Sequence, residues 1–207
     1  MEIDINLIEK AYRNKPGRYM GEHKDYAILI PVIKMEYGTY ILFEERSTKL
    51  LKQPGEICFP GGKIEEDEDA EAAVIRETCE ELEINREDIS IIAKGDKLHR
   101  YANVNIYSYI GTVSPDIEFH KINNSEVEKV HLIKLEKLMK AHVDMYYTKI
   151  GPLDIEGFPY DKIGAKDYSE WIYRDWEVPI IKCEDITIWG LTAKFLIEFL
   201  KRLDDKG

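Results

Sequence analysis

Cysteine is scarce in this chain: Cys58, Cys79 and Cys183 are the only three in 207 residues, and no two stand at CxxC spacing. That excludes a disulfide framework and a four-cysteine zinc site, and the three read as small buried hydrophobes. Positive charge is also short, with 29 Lys and Arg against 40 Asp and Glu, a net charge of −11. A broad surface for nucleic acid or anionic membrane is therefore not expected. An anionic substrate would need screening by a divalent cation or by a few well-placed Arg and Lys residues. No stretch approaches the roughly 18 apolar residues that span a bilayer. The opening MEIDINLIEK lacks the basic-then-apolar order of a signal peptide, so the expected compartment is the cytoplasm. His23, His99, His120, His131 and His142 show neither HxxxH nor HExxH spacing and read as non-ligands.

What is present is an ordinary globular composition, 44% hydrophobic and 33% charged, long enough for one sizeable core. A single domain over residues 1–207 is expected. Ile5, Ile8 and Tyr12 share one face of a helix over 4–13. The runs 27–34 and 40–45 predict a hairpin, with Pro31 assigning the first strand to an edge or a bulge. Residues 57–59 read as a strand end, followed by a Pro60-Gly61-Gly62 pivot. Ala72, Ile75, Cys79 and Leu82 form an apolar stripe that predicts a helix over 69–82, capped by Asp67 or Asp69. Further strands are expected at 89–94, 104–111, 127–135, 168–173 and 177–181. Residues 144–166 read as a long loop or insertion, and 188–203 as a final helix with Trp189 as a core anchor. The fold class is α+β, an α/β/α sandwich in which a mixed sheet packs between helices.

Chemistry concentrates between Gly61 and Ile84. Glu77, Glu80 and Glu81 stand at i, i+3 and i+4, on neighbouring positions of one helix face, with the apolar residues on the other. Such like charges repel unless water or a cation screens them, so the segment is either a solvated acidic face or a cation site. The double-glycine turn before it offers carbonyl oxygens, and Arg76 can fix one carboxylate. Hard oxygen donors suit Mg²⁺ or Mn²⁺, which work together with substrate phosphates.

The run resembles a Nudix box. Gly62, Glu68, Arg76, Glu77, Glu80, Glu81 and Ile84 match at the family's spacing, whereas Thr78 replaces an aliphatic residue and Glu83 replaces the glycine that ends the helix. Without that glycine the helix is expected to run on or to end differently, at a cost of about 1 kcal/mol. The resemblance implies the Nudix fold and a cluster of Mg²⁺ or Mn²⁺ held by Glu77, Glu80, Glu81 and the Gly61 carbonyl. It further implies that Glu68 assists at the cluster's edge and that Arg76 orients Glu77.

Upstream, Arg46, Ser47, Leu50, Gly55, Phe59, Pro60, Gly61 and Gly62 resemble the additional signature of coenzyme A diphosphatases. Glu44, Leu51 and Gln53 depart from it, where that family often has Thr, Arg and His. The implied reaction cleaves coenzyme A or its derivatives to 3′,5′-ADP and 4′-phosphopantetheine or its acylated form. Arg46, Gly61 and Gly62 would bind the substrate, Arg46 through either the 3′-phosphate or the scissile diphosphate. Glu126 is preferred over Glu128 as general base. Tyr146, Tyr147, Phe158 and Tyr160 are candidates to stack on adenine, and His99 and Arg100 to lie near the pocket. Two alternatives stay open: a Nudix enzyme acting on ADP-ribose or another nucleoside diphosphate derivative, and a non-catalytic nucleotide-binding or interaction protein. Partners are expected to be a small diphosphate molecule and no nucleic acid or membrane, with the chain a monomer or homodimer.

Overall fold

The computed structural model describes residues 5–15, 20–100, 103–150, 157–164 and 174–204. Its main sheet is built on a splayed hairpin. Strands β1 (Lys24–Met35) and β2 (Gly38–Arg46) pair antiparallel only near their turn, from Val32↔Ile41 to Met35↔Gly38. Beyond that point they part, and the segment after the polar loop fills the gap. There β3 (Ile57–Cys58) pairs with β2, and β4 (Gly61–Lys63) pairs with β1. On the outer sides β7 (Val127–Lys134) joins β2, while β6 (Val104–Val113) joins β1 in parallel and pairs in turn with β5 (Ile89–Arg100). The sheet is thus mixed, as expected.

Alternation along these strands divides the core into two layers. Ala27, Leu29, Ile33 and Leu42 face α2 (Ala70–Leu82). Ile30, Ile41, Phe43 and Ile106 face α5 (Gly190–Asp204) and a second sheet of β10 (Ile186–Trp189), β9 (Arg174–Cys183) and β8 (Val143–Ile150). A helix therefore covers each face of the sheet. Two short helices, α3 (Leu135–Lys140) and α4 (Tyr160–Ile163), complete the described elements with α1 (Ile5–Tyr12) and two 3₁₀ turns.

Several expectations need correction. Pro31 is buried in a central strand, not at an edge. Its missing N–H falls between the end of the β4 ladder at Ile28 and the start of the β2 ladder at Val32, where β1 changes partners. Residues 143–150 form strand β8, paired from Val143↔Ile181 to Ile150↔Arg174, where a loop was expected. Trp189 ends β10 and is 43% exposed, so it anchors no core, and α5 begins one residue later. Helix α1 forms, but Ile5, Ile8 and Tyr12 are all exposed. Of the cysteines only Cys183 is buried; Cys58 and Cys79 are partly exposed. The strand expected at 168–173 lies outside the described residues.

Candidate active site

Helix α2 starts where the sequence places it. Asp69 Oδ1 accepts the N–H groups of Glu71 and Ala72 at 3.0 and 2.8 Å, satisfying two of the helix's unpaired donors. It ends at Glu83, which takes the left-handed conformation (φ 54°, ψ 41°) without being glycine. The helix does not run on: the Ile84 N–H closes on the Cys79 carbonyl at 3.1 Å. Thr78 is fully buried, its hydroxyl donating to the Val74 carbonyl at 2.6 Å. The buried side comprises Ala73, Val74, Ile75, Thr78, Glu81 and Leu82, while Ala72 is exposed. The stripe is therefore rotated from the expected one, and Glu81 falls on the sheet-facing side.

That rotation divides the acidic residues into two sets. Arg76 gathers the outer set. Its Nη2 and Nε donate to both oxygens of Glu68, at 2.6 and 3.2 Å, and its Nη1 reaches Glu77 at 2.9 Å and Glu80 at 3.3 Å. Nη2 also donates to the Lys63 carbonyl, fastening the helix to β4. These bonds, that to Glu68 first, raise the guanidinium pKa. The same bond, with a backbone N–H from Glu65, holds Glu68 below the usual carboxylate range. Burial lifts Glu77, against the pull of Arg76. The Glu77 carboxylate lies against Gly62, where a Cβ would push it aside, so the second glycine lets this carboxylate sit close to the backbone.

The inner set is Glu81 and Glu44. Glu81, 6% exposed, accepts the Gly61 N–H at 2.8 Å. Gly61 adopts φ +142°, and a side chain there would strike the Ala27 carbonyl, which fixes the turn against β1. Glu44, 1% exposed, lies on β2 with the inward parity of Leu42 and faces Glu81 from the sheet. Burial pushes both carboxyls up, and the charge of Glu44 adds to the effect on Glu81. The Cys58 thiol, kept protonated by burial and by these carboxylates, donates to Glu44 Oε1 at 3.7 Å. Glu44 Oε2 is buried and accepts no hydrogen bond among the described residues.

Arg46 and Glu126 reach the same region from β2 and from the loop before β7. A bulge between Glu45 and Arg46 redirects the end of β2. The Arg46 guanidinium acts electrostatically on both Glu44 and Cys58, and its Nε is buried without a partner among the described residues. Glu126 is exposed, yet close enough for its charge to act on Glu44 and Glu77. Asn124 sets its position. The Asn124 Oδ1 accepts the N–H groups of Glu126 and Val127 at 2.9 and 2.8 Å, and its Nδ2 donates to the backbone carbonyl of Glu81 at 3.0 Å. The Glu126 carbonyl in turn accepts the N–H of Ser47 at 2.7 Å.

Among the described residues, no three or more His, Cys, Asp or Glu side chains are arranged so as to hold a metal ion together. The cause is visible: Arg76 occupies Glu68, Glu77 and Glu80, while Glu81 turns inward. The donors still fit a hard divalent ion. They are carboxylate oxygens clustered against a tight turn, and one buried carboxylate oxygen, Glu44 Oε2, has no hydrogen-bond partner among the described residues. Sequence reasoning missed Glu44 and Asn124. The signal for Glu44 was a carboxylate at an inward position of an otherwise apolar strand.

Other candidates lie elsewhere. His99 Nδ1 pairs with Asn105 Oδ1 at 2.6 Å, and Arg100 and Lys194 lie 5.9 and 3.8 Å from the Trp176 ring centre. Lys194 also lines a cavity of about 230 Å³ with Lys97, Leu98, Glu177 and Phe195, a lining that includes no residue of the acidic cluster. Tyr146 and Tyr147 are exposed on β8, and Phe158 packs on Tyr160 with ring centres 4.9 Å apart.

The family profile for the NUDIX domain matches residues 23–150. A Caenorhabditis elegans protein named Nudix hydrolase 3 is 31% identical over 184 residues, covering 86% of this chain and 72% of that one. An Enterobacter protein named uncharacterized Nudix hydrolase NudL is 25% identical over 195 residues, covering 94% and 90%. Among solved structures, a MutT/nudix family protein from Enterococcus faecalis aligns over 98% of this chain and 70% of its own, with 14% identity and a TM-score of 0.49.

Proposed function

We propose a specific activity for this chain, which belongs to the Nudix family of hydrolases: hydrolysis of the diphosphate bond of coenzyme A or its derivatives, assisted by Mg²⁺ or Mn²⁺. Nudix hydrolases generally use such divalent ions. Here Glu77, Glu80 and Glu81, with the Gly61 carbonyl, would hold the ion, and Glu68 would support it through Arg76. When bound, the ion neutralises charge on the diphosphate oxygens and acidifies a bound water. The remaining work falls to the chain. Arg46 draws the anionic diphosphate toward the turn, Gly61 and Gly62 let it approach the backbone, and Glu126 accepts the proton of the attacking water.

The observation that carries the coenzyme A reading is where its signature residues lie. Arg46 and Gly55 close the intervening loop through Gly55 N–H to Arg46 carbonyl and Arg46 N–H to Glu56 carbonyl bonds, each 3.0 Å. Ser47 is buried against the Glu126 backbone, and Phe59 stacks on Phe43 at 4.9 Å. The loop's ends are thus pinned beside the carboxylates, in position to present it to a substrate. One feature favours a second reading, ADP-ribose or another nucleoside diphosphate derivative. Leu51, where the coenzyme A family usually has Arg, is fully exposed on that loop and brings no charge to a 3′-phosphate. Comparing kcat/KM for coenzyme A, its acyl forms, ADP-ribose, NADH and diadenosine polyphosphates, with products weighed by mass spectrometry, tests the choice. The coenzyme A reading requires the highest value for coenzyme A or an acyl form, and a preference for ADP-ribose overturns it.

A further inference from the structure

We infer that Glu44 is a ligand of the bound divalent cation, contributed by the sheet and paired across the site with the helix ligand Glu81. The inference rests on the metal-dependent reading above and extends it to a residue outside the Nudix box. Burying a carboxylate is costly unless a positive charge or hydrogen-bond donors compensate it. Glu44 has almost no contact with solvent, and its nearest polar neighbours are a thiol and a second buried carboxylate. The thiol donates to Oε1, Oε2 has no donor of its own among the described residues, and the Glu44 and Glu81 carboxyls lie within hydrogen-bond reach of each other, the spacing a shared cation would need. Arg46 acts on Glu44 only electrostatically, with no hydrogen bond to it among the described residues.

The geometry places that carboxyl usefully. Strand alternation sends Glu44 to the face covered by α2, and it meets Glu81, which the Gly61 N–H holds in place. A cation between the two would have one donor from the helix and one from the sheet, so its binding would join α2 to β2 across the turn. Ionised together, Glu44, Glu77, Glu80 and Glu81 carry four negative charges, enough to balance two divalent ions.

The test is Mn²⁺ binding to the substrate-free protein, read from the electron paramagnetic resonance signal of free Mn²⁺. Glu44→Gln should weaken binding at least tenfold, and Glu44→Asp should recover part of the loss. Cys58→Ala, which removes only the thiol that braces Glu44, should leave affinity within twofold of the parent. Equal losses in Glu44→Gln and Cys58→Ala would reduce Glu44 to a brace and overturn the inference. Glu77→Gln separates the two levels of the argument. If it loses Mn²⁺ while Glu44→Gln does not, the Glu44 assignment fails alone. If neither loses it, the metal site itself fails. Should Glu44→Gln not fold, the Mn²⁺ anomalous peak in crystals of the parent decides: within coordination distance of Glu44 Oε2 it supports the inference, and beyond it overturns it.

Discussion

Glu81 belongs to helix α2 by sequence and to the buried sheet interface by environment, and that double membership suits it to a site where charge must be concentrated away from water. Glu81→Gln keeps an oxygen for the Gly61 N–H and removes only the carboxylate that would hold the cation, so circular dichroism should not change. Turnover should fall by roughly a hundredfold or more, the scale for losing charge stabilisation focused on a transition state. Near-normal turnover in a folded variant would place the metal elsewhere. Arg46 can be tested the same way. Because its guanidinium acts on Glu44 and Cys58, the proposed reading has it meet the scissile diphosphate, not a distant 3′-phosphate. Arg46→Ala should cost roughly 2 to 4 kcal/mol in kcat/KM, equally on coenzyme A and on 3′-dephospho-coenzyme A. A loss confined to coenzyme A would move Arg46 to the 3′-phosphate.

At the scale of elements, α2 shows what a sequence can and cannot disclose. Its limits, its Asp69 cap and the spacing of its glutamates were all legible, because they follow from local hydrogen bonding and a 3.6-residue period. Its rotation was not, since the burial of Glu81 depends on Glu44, 37 positions earlier, coming to face it from β2. Strand β8 was hidden for a related reason: it is mostly exposed and, among the described residues, pairs only with β9, so no alternation marks it. Pro31 misled because its missing N–H is harmless only where a hairpin splays, a feature no window of sequence contains. The helix end offers a direct test. Glu83 holds a left-handed conformation that glycine adopts freely. Glu83→Gly should therefore stabilise the protein by up to about 1 kcal/mol, a rise of roughly 2–4 °C in Tm. A fall in Tm would show that the Glu83 side chain contributes more than its backbone strain costs.

For the molecule as a whole, the segment between β2 and β1 brings helix carboxylates, turn backbone and a sheet carboxylate into one place, and charge links that site to stability. Glu44 and Glu81 bind protons more tightly when folded than unfolded. Metal-free stability should therefore fall as pH rises from the ordinary carboxylate range toward their raised values. Glu68 works in the opposite sense, and its contribution is lost as pH falls through its lowered value. Thermal melts across pH should show this decline on the alkaline side. Saturating Mn²⁺ or Mg²⁺ should reverse it, by about 2.7 kcal/mol at a hundredfold excess over Kd. A Glu77→Gln, Glu80→Gln, Glu81→Gln triple variant should not respond, and an equal response would exclude these residues as the metal site. The most direct measurement is coenzyme A turnover in ¹⁸O-labelled water, with Mg²⁺ or Mn²⁺ and again with excess chelator. The account predicts 3′,5′-ADP and 4′-phosphopantetheine, one of them carrying a single ¹⁸O, and no products once the metal is chelated. Cleavage that persists in chelator, or none with either metal, would contradict it.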